Sequence, residues 1–80
     1  MFKAYILVKA APGKESEVLD RVKKMKPVAE AELVYGEYDL ILKTQMKLPE
    51  SLDDFVFNTL RQINGVISTT TCICAGSIPR

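Results

Sequence analysis

A small α+β sandwich of order β-α-β-β-α-β is what this sequence predicts, and three observations predict it. Apolar and polar residues alternate at the start of the chain; apolar residues recur at helical spacing in two later stretches; and Pro or Gly stands near each change of period. Eighty residues make one domain, near the lower end of what buries a self-sufficient core.

The first strand covers residues 2–9. Phe2, Ala4, Ile6 and Val8 share one face, and Lys3, Tyr5, Leu7 and Lys9 share the other. Ala11-Pro12-Gly13 breaks it. A helix then starts near Lys14, with Val18, Leu19, Val22 and Met25 on one apolar stripe. Glu15 and Glu17 come early and Lys23, Lys24 and Lys26 late, as the helix dipole favours, and Pro27 stops it. The second strand is expected over residues 28–35 and the third over 38–46, meeting at a corner around Gly36. Leu48-Pro49-Glu50 is a break. Ser51 followed by Asp54 reads as a capping box with aspartate in the acidic place, so the second helix is expected to begin there. Leu52, Phe55, Val56, Thr59, Leu60 and Ile63 form its buried stripe, and Asn64-Gly65 closes it. A fourth strand follows over 66–75, then a short tail over 76–80.

That order predicts a ferredoxin-like sandwich: four antiparallel strands with both helices on one face. The other face is then the informative one. Tyr5, Leu7, Leu40, Leu42, Ile67 and Ile73 cannot all share a face with their alternating neighbours, so some must lie where the helices do not reach. A hydrophobic fraction of 48% exceeds what so short a monomer hides. Small domains cover such an excess by association, and dimerisation through the sheet is the economical solution.

Composition excludes several classes. The net charge is +1 and histidine is absent, so no basic field strong enough for direct nucleic-acid binding is expected. No apolar run approaches the roughly 18–20 residues of a membrane span. The alternating start reads as a strand rather than a signal peptide, which makes the expected location cytoplasmic. Cys72 and Cys74 sit two apart in the last strand, thiols on the same face with Cα atoms roughly 6.5 Å apart. A bridge between them would fight the strand, and a metal would need further soft ligands that the chain lacks. They are expected to be buried and inert.

The corner carries the candidate site. Gly36 is a turn glycine, and a turn also exposes backbone N–H groups to a ligand. Asp39 follows as a carboxylate; it either hydrogen-bonds back to the turn or receives a ligand ammonium. Donors beside one carboxylate are what a zwitterionic amino acid requires. Tyr38 is a cross-strand packing residue or a hydroxyl lining the same pocket, and Tyr35 is a weaker version of it. Ser68, Thr69, Thr70 and Thr71 place hydroxyls on both faces of the last strand, a run that sheet propensity alone can explain. Alternation puts Thr69 and Thr71 on one face and Thr70 on the other.

The chain resembles the effector-binding domain of the leucine-responsive and asparagine regulators, the Lrp/AsnC family of transcription factors. The resemblance extends over essentially the whole chain. It rests on Ala4-Tyr5-Ile6-Leu7-Val8, Pro12-Gly13-Lys14-Glu15, Tyr35-Gly36-Glu37-Tyr38-Asp39-Leu40-Ile41-Leu42-Lys43, Leu60-Arg61, Ile63-Asn64-Gly65-Val66 and Ser68-Thr69-Thr70-Thr71. The glycine-x-tyrosine-aspartate corner paired with a threonine-rich last strand is the more specific part. The resemblance implies a sheet-to-sheet dimer (a dimeric α+β barrel) assembling into rings, commonly octamers, with an amino acid effector held between dimers. It implies a ligand set of Gly36, Tyr38, Asp39, Thr69, Thr70 and Thr71, the threonine strand holding the carboxylate. Such regulators usually carry a helix-turn-helix domain first, whereas this chain begins at the first strand and is similar to the stand-alone form. Mixed assembly with full-length regulators is then the expected route to DNA.

The leading expectation is a non-catalytic amino-acid-binding and oligomerisation module, with no cofactor and no metal, acting by linkage between ligand and assembly. In it Asp39→Ala leaves the fold intact and weakens binding. A small enzyme on the same barrel scaffold is the alternative from another class, disfavoured because Asp39 and the tyrosines make a poor catalytic set. A purely structural oligomerisation domain is the third.

Overall fold

The architecture follows from where the apolar alternation finds cover. The computed structural model describes residues 2–76. Its strands are β1 (Phe2–Ala10), β2 (Val28–Leu33), β3 (Leu40–Met46) and β4 (Val66–Ile73), antiparallel and ordered β2-β3-β1-β4. Helix α1 (Glu15–Val22) joins β1 to β2, and α2 (Pro49–Asp54) joins β3 to β4. Beyond Asp54 the helix continues as a π turn over Phe55–Thr59 and a 3-10 turn over Leu60–Gln62. The sandwich expected from the sequence is the one observed. Of the expected tail, residues beyond Gly76 lie outside the described part.

One face of the sheet makes the core. Ile6 stands opposite Leu42, Val8 opposite Leu40 and Ala4 opposite Thr44. All are buried, with Val18 and Val22 of α1 and Leu52, Phe55, Val56, Leu60 and Ile63 of the second helical stretch packed above them. Each such aliphatic side chain contributes about 1.5–3 kcal/mol by leaving water. Thr44 is the single buried polar side chain among the described residues, and its hydroxyl donates to the Ala4 carbonyl at 2.9 Å. Leu40 and Leu42 thus belong to the covered face. Tyr5, Leu7 and Ile41 lie on the uncovered one, with Glu30, Glu32 and Lys43 around them.

Several expected boundaries shift, each for a local reason. Pro27 disfavours a helix through Lys26, and α1 already ends at Val22; Met25 still packs on the core from the turn that follows. The capping box at Ser51 and Asp54 does not form. The helix begins earlier, with Pro49 in its first turn, where a missing N–H costs nothing, and extended Leu48 as its cap, so Ser51 is already helical. The buried cysteines are also corrected: Cys72 is exposed and Cys74 half-buried. The reason is topological. β4 is an edge strand, and Cys72 stands opposite Tyr5 on the face without helices. Ile73 stands opposite Ala4 on the helix side yet remains 58% exposed, because the helices do not reach over the edge. Among the described residues no helix is long and apolar enough to cross a membrane.

Gly65 is held tightly: its φ is +105°, and a Cβ there would lie 2.9 Å from that of Lys14. Its carbonyl receives the Ala11 N–H at 2.7 Å, which ties the root of β4 to the residue that follows β1.

Candidate functional site

The corner between Leu33 and Leu40 is wider than the hairpin expected around Gly36, and Asp39 at its end is bonded to both neighbouring segments. Its N–H donates to the Val8 carbonyl at 2.9 Å, and its own carbonyl accepts from Val34 at 2.9 Å. Its carboxylate Oδ2 accepts from the Ala10 N–H at 2.8 Å. The side chain thus supplies the acceptor that a longer β3 would have offered, at the point where the β1–β4 register shifts between Lys9 and Ala10. The Asp39 carboxylate does not bond back to its own turn, as one of its two expected readings had it; it reaches across to β1, and its other oxygen makes no hydrogen bond among the described residues. Gly36 sits at φ +123° with open space where a side chain would be, so the turn itself requires glycine.

Beside Asp39 lies a hollow of about 330 Å³, walled by Leu33, Val34 and Tyr35 on one side and by Glu15 and Ser16 of α1 on the other. Among the described residues two carboxylates and no cationic side chain line it, which suits an ammonium rather than an anion. Glu15 Oε1 accepts the Gly13 N–H at 2.8 Å, so that carboxylate too is held in place.

The threonine strand divides between the two faces, as alternation requires. Thr70 stands opposite Leu7 on the uncovered face, where its hydroxyl meets the Tyr38 hydroxyl at 3.1 Å. Tyr38 thereby reaches across β1 from the β3 side to β4. Thr69 and Thr71 point the other way, into a groove of about 270 Å³ between the edge of the sheet and the second helical stretch. Thr69 accepts a hydrogen bond from Arg61 Nε at 3.1 Å, and the Arg61 guanidinium carbon lies 4.9 Å from the centre of the Phe57 ring. A roomier hollow of about 540 Å³, near Met25, Pro27 and Phe55, contains none of the residues expected to bind.

The six candidate residues therefore form three groups in one chain. Gly36 and Asp39 share the corner; Tyr38 and Thr70 touch on the open face; Thr69 and Thr71 share the edge groove. Among the described residues no one hollow collects all of them. Arg61, Phe57 and Glu15 line these hollows without having been expected there. A cation four residues after an aromatic on a helix is the signal that points to the Phe57–Arg61 pair.

Comparison with known proteins bears on the family and the fold. The family model described as Lrp/AsnC ligand binding domain matches residues 3–78. An HTH-type transcriptional regulator, FL11 of Pyrococcus furiosus, is 36% identical over 70 residues, covering 88% of this chain and 46% of its own length. The chain spans about half the length of the curated relatives it matches. Among solved structures, FFRP-DM1 superposes with a TM-score of 0.89 at 40% identity, covering 92% of this chain and 99% of that one. A transcriptional regulator of Neisseria meningitidis, solved as an L-methionine complex, shares the fold with a TM-score of 0.86 at 22% identity, over 99% of this chain and 53% of its own.

Proposed function

The chain belongs to the Lrp/AsnC ligand-binding domain family, and from that premise we propose that it is a non-catalytic amino-acid-binding and assembly module of transcription regulation. The observation that carries the reading is the separation of the candidate residues. An acidic corner holding Gly36 and Asp39 and a hydroxyl-bearing edge at β4 lie on opposite sides of the end of β1. A ligand that needs an ammonium acceptor and a carboxylate donor at once is best served where the corner of one protomer meets the edge of another. Binding then requires assembly, and ligand stabilises whichever assembly completes the site.

The first step of that assembly is a dimer through the uncovered sheet face. Tyr5, Leu7 and Ile41 supply its apolar centre, and Glu30, Glu32 and Lys43 a mixed-charge rim. Dimers join into a larger ring, an octamer being the expected form. FFRP-DM1, a solved chain of nearly the same extent, supports treating the domain as a unit by itself; DNA contact then comes through mixed assembly with full-length regulators. Cytoplasmic location follows from that role.

Thermal melting of the assembled protein with each of the twenty amino acids, read beside light scattering for mass, tests the proposal; L-methionine comes first, given the Neisseria complex. A selective rise in melting temperature is expected, since ligand bound only by the folded assembly stabilises it. Asp39→Asn keeps an acceptor for Ala10 and removes the charge, so affinity should fall roughly tenfold or more with the melting point of the free protein little changed. Equal affinity would remove Asp39 as the ammonium partner.

One observation favours a second reading. The Asp39 carboxylate is already engaged by the Ala10 N–H, a sufficient reason for its presence in a purely structural assembly domain. Indifference to all twenty amino acids in an assembled protein would select that reading.

A further inference from the structure

We propose that Arg61 is the carboxylate receptor of this domain: the groove between β4 and the second helical stretch takes a free monocarboxylic amino acid, its carboxylate on the Arg61 guanidinium and its apolar body against Phe57, Val56 and Ile73. The inference deepens the reading above and rests on it for the class of ligand. It replaces the backbone and threonine donors expected for the carboxylate with a charged side chain.

Arg61 is held before any ligand arrives. The Phe57 ring supports its flat face at 4.9 Å, and Thr69 accepts its Nε–H at 3.1 Å. With Nε engaged, the two terminal amino groups remain as a planar fork of donors, the geometry that meets a carboxylate with two parallel hydrogen bonds. The ion pairs found among the described residues are Lys14–Glu17 and Lys23–Asp20, neither of which involves Arg61. Asp53 lines the same groove without pairing to it. A shelf for an exposed phenyl ring would need only the guanidinium plane. The anchored Nε and the apolar groove beyond it are what a binding role adds.

The backbone points the same way. The π turn over Phe55–Thr59 closes with the Leu60 N–H bonded to the Phe55 carbonyl. Directly after it Leu60 is fully buried and the next residue, Arg61, lines the β4 groove. A volume of about 270 Å³ accommodates an aliphatic or thioether amino acid. Asp53, eight residues before Arg61 along the same wall, repels a second carboxylate and so discriminates against acidic amino acids.

Isothermal titration of the assembled protein tests this, with L-methionine, L-leucine, L-glutamate and L-methioninamide as probes. L-methionine or L-leucine should bind, L-glutamate should not, and the amide of a binding amino acid should bind at least about tenfold more weakly, since it lacks the charged acceptor. Arg61→Lys keeps the charge and loses the fork; affinity should again fall about tenfold or more. Lys24→Gln, a remote exposed cation, should bind as the parent does and so excludes a net-charge effect. Undiminished binding to Arg61→Gln overturns the inference, as does equal binding of L-methionine and its amide by the parent protein. The amide comparison needs no variant and decides even where Arg61→Gln fails to fold. A parent protein that binds no amino acid overturns the proposed function as well; binding lost in Asp39→Asn but kept in Arg61→Gln overturns Arg61 alone.

Discussion

Both faces of the sheet carry apolar side chains, and those side chains have opposite fates. Along β1, Ala4, Ile6 and Val8 are essentially sealed, while Tyr5 between them remains 40% exposed. Along β3, Leu42 is sealed and its neighbour Ile41 is not. What differs is cover: helices close one face, and no described residue closes the other. Apolar residues on the closed face hold the fold together. Those on the open face add little to the stability of one chain and are available to a second.

That contrast can be broken by substitution. Leu42→Ala should cost about 2–5 kcal/mol in denaturant unfolding, because a fully sealed site cannot collapse around the missing methyls. Ile41→Ala next to it should cost the dilute monomer under about 1 kcal/mol and lower the mass seen by light scattering instead. A larger unfolding cost at Ile41 than at Leu42 would sink the contrast. Asp39→Ala comes next. It removes the acceptor of the Ala10 N–H, so the fold should persist but lose about 1–3 kcal/mol of stability. Comparison of its melting point with that of Asp39→Asn separates the structural role from the charge. Tyr38→Phe is the smallest: one exposed hydroxyl contact with Thr70 disappears, worth about 0.5–1.5 kcal/mol at most, and mass should be unchanged.

How far the sequence could be read follows from what kind of contact decides each feature. Alternation over Phe2, Ala4, Ile6 and Val8 is local, and so is the stripe of Leu52, Phe55, Val56, Leu60 and Ile63; both are buried as their spacing implies. The extent of β3 is not local. It begins at Leu40, and the residue before it, Asp39, is tied to Val8 and Ala10 of β1, far away in the sequence. The π turn leaves the apolar stripe intact and changes only the hydrogen bonding, so no periodicity announces it. Cys72 is exposed, not buried: apolar composition says nothing about which strand stands at the edge. At the candidate site, Gly36, Asp39 and the threonines were legible as turn chemistry and as a run of hydroxyls. Their distribution over three places, and the presence of Arg61 beside Thr69, depend on strand order.

The clasp between Asp39 and Ala10 also gives the molecule a built-in clock. The Ala10 amide is bonded to a side chain, not to a neighbouring strand, so its proton trades with solvent only while that carboxylate is away. Its exchange rate therefore times how often the corner lets go. The next amide, at Ala11, is bonded to the Gly65 carbonyl and times the root of β4 in the same spectrum. Two consecutive amides report separately on the two sides of β1.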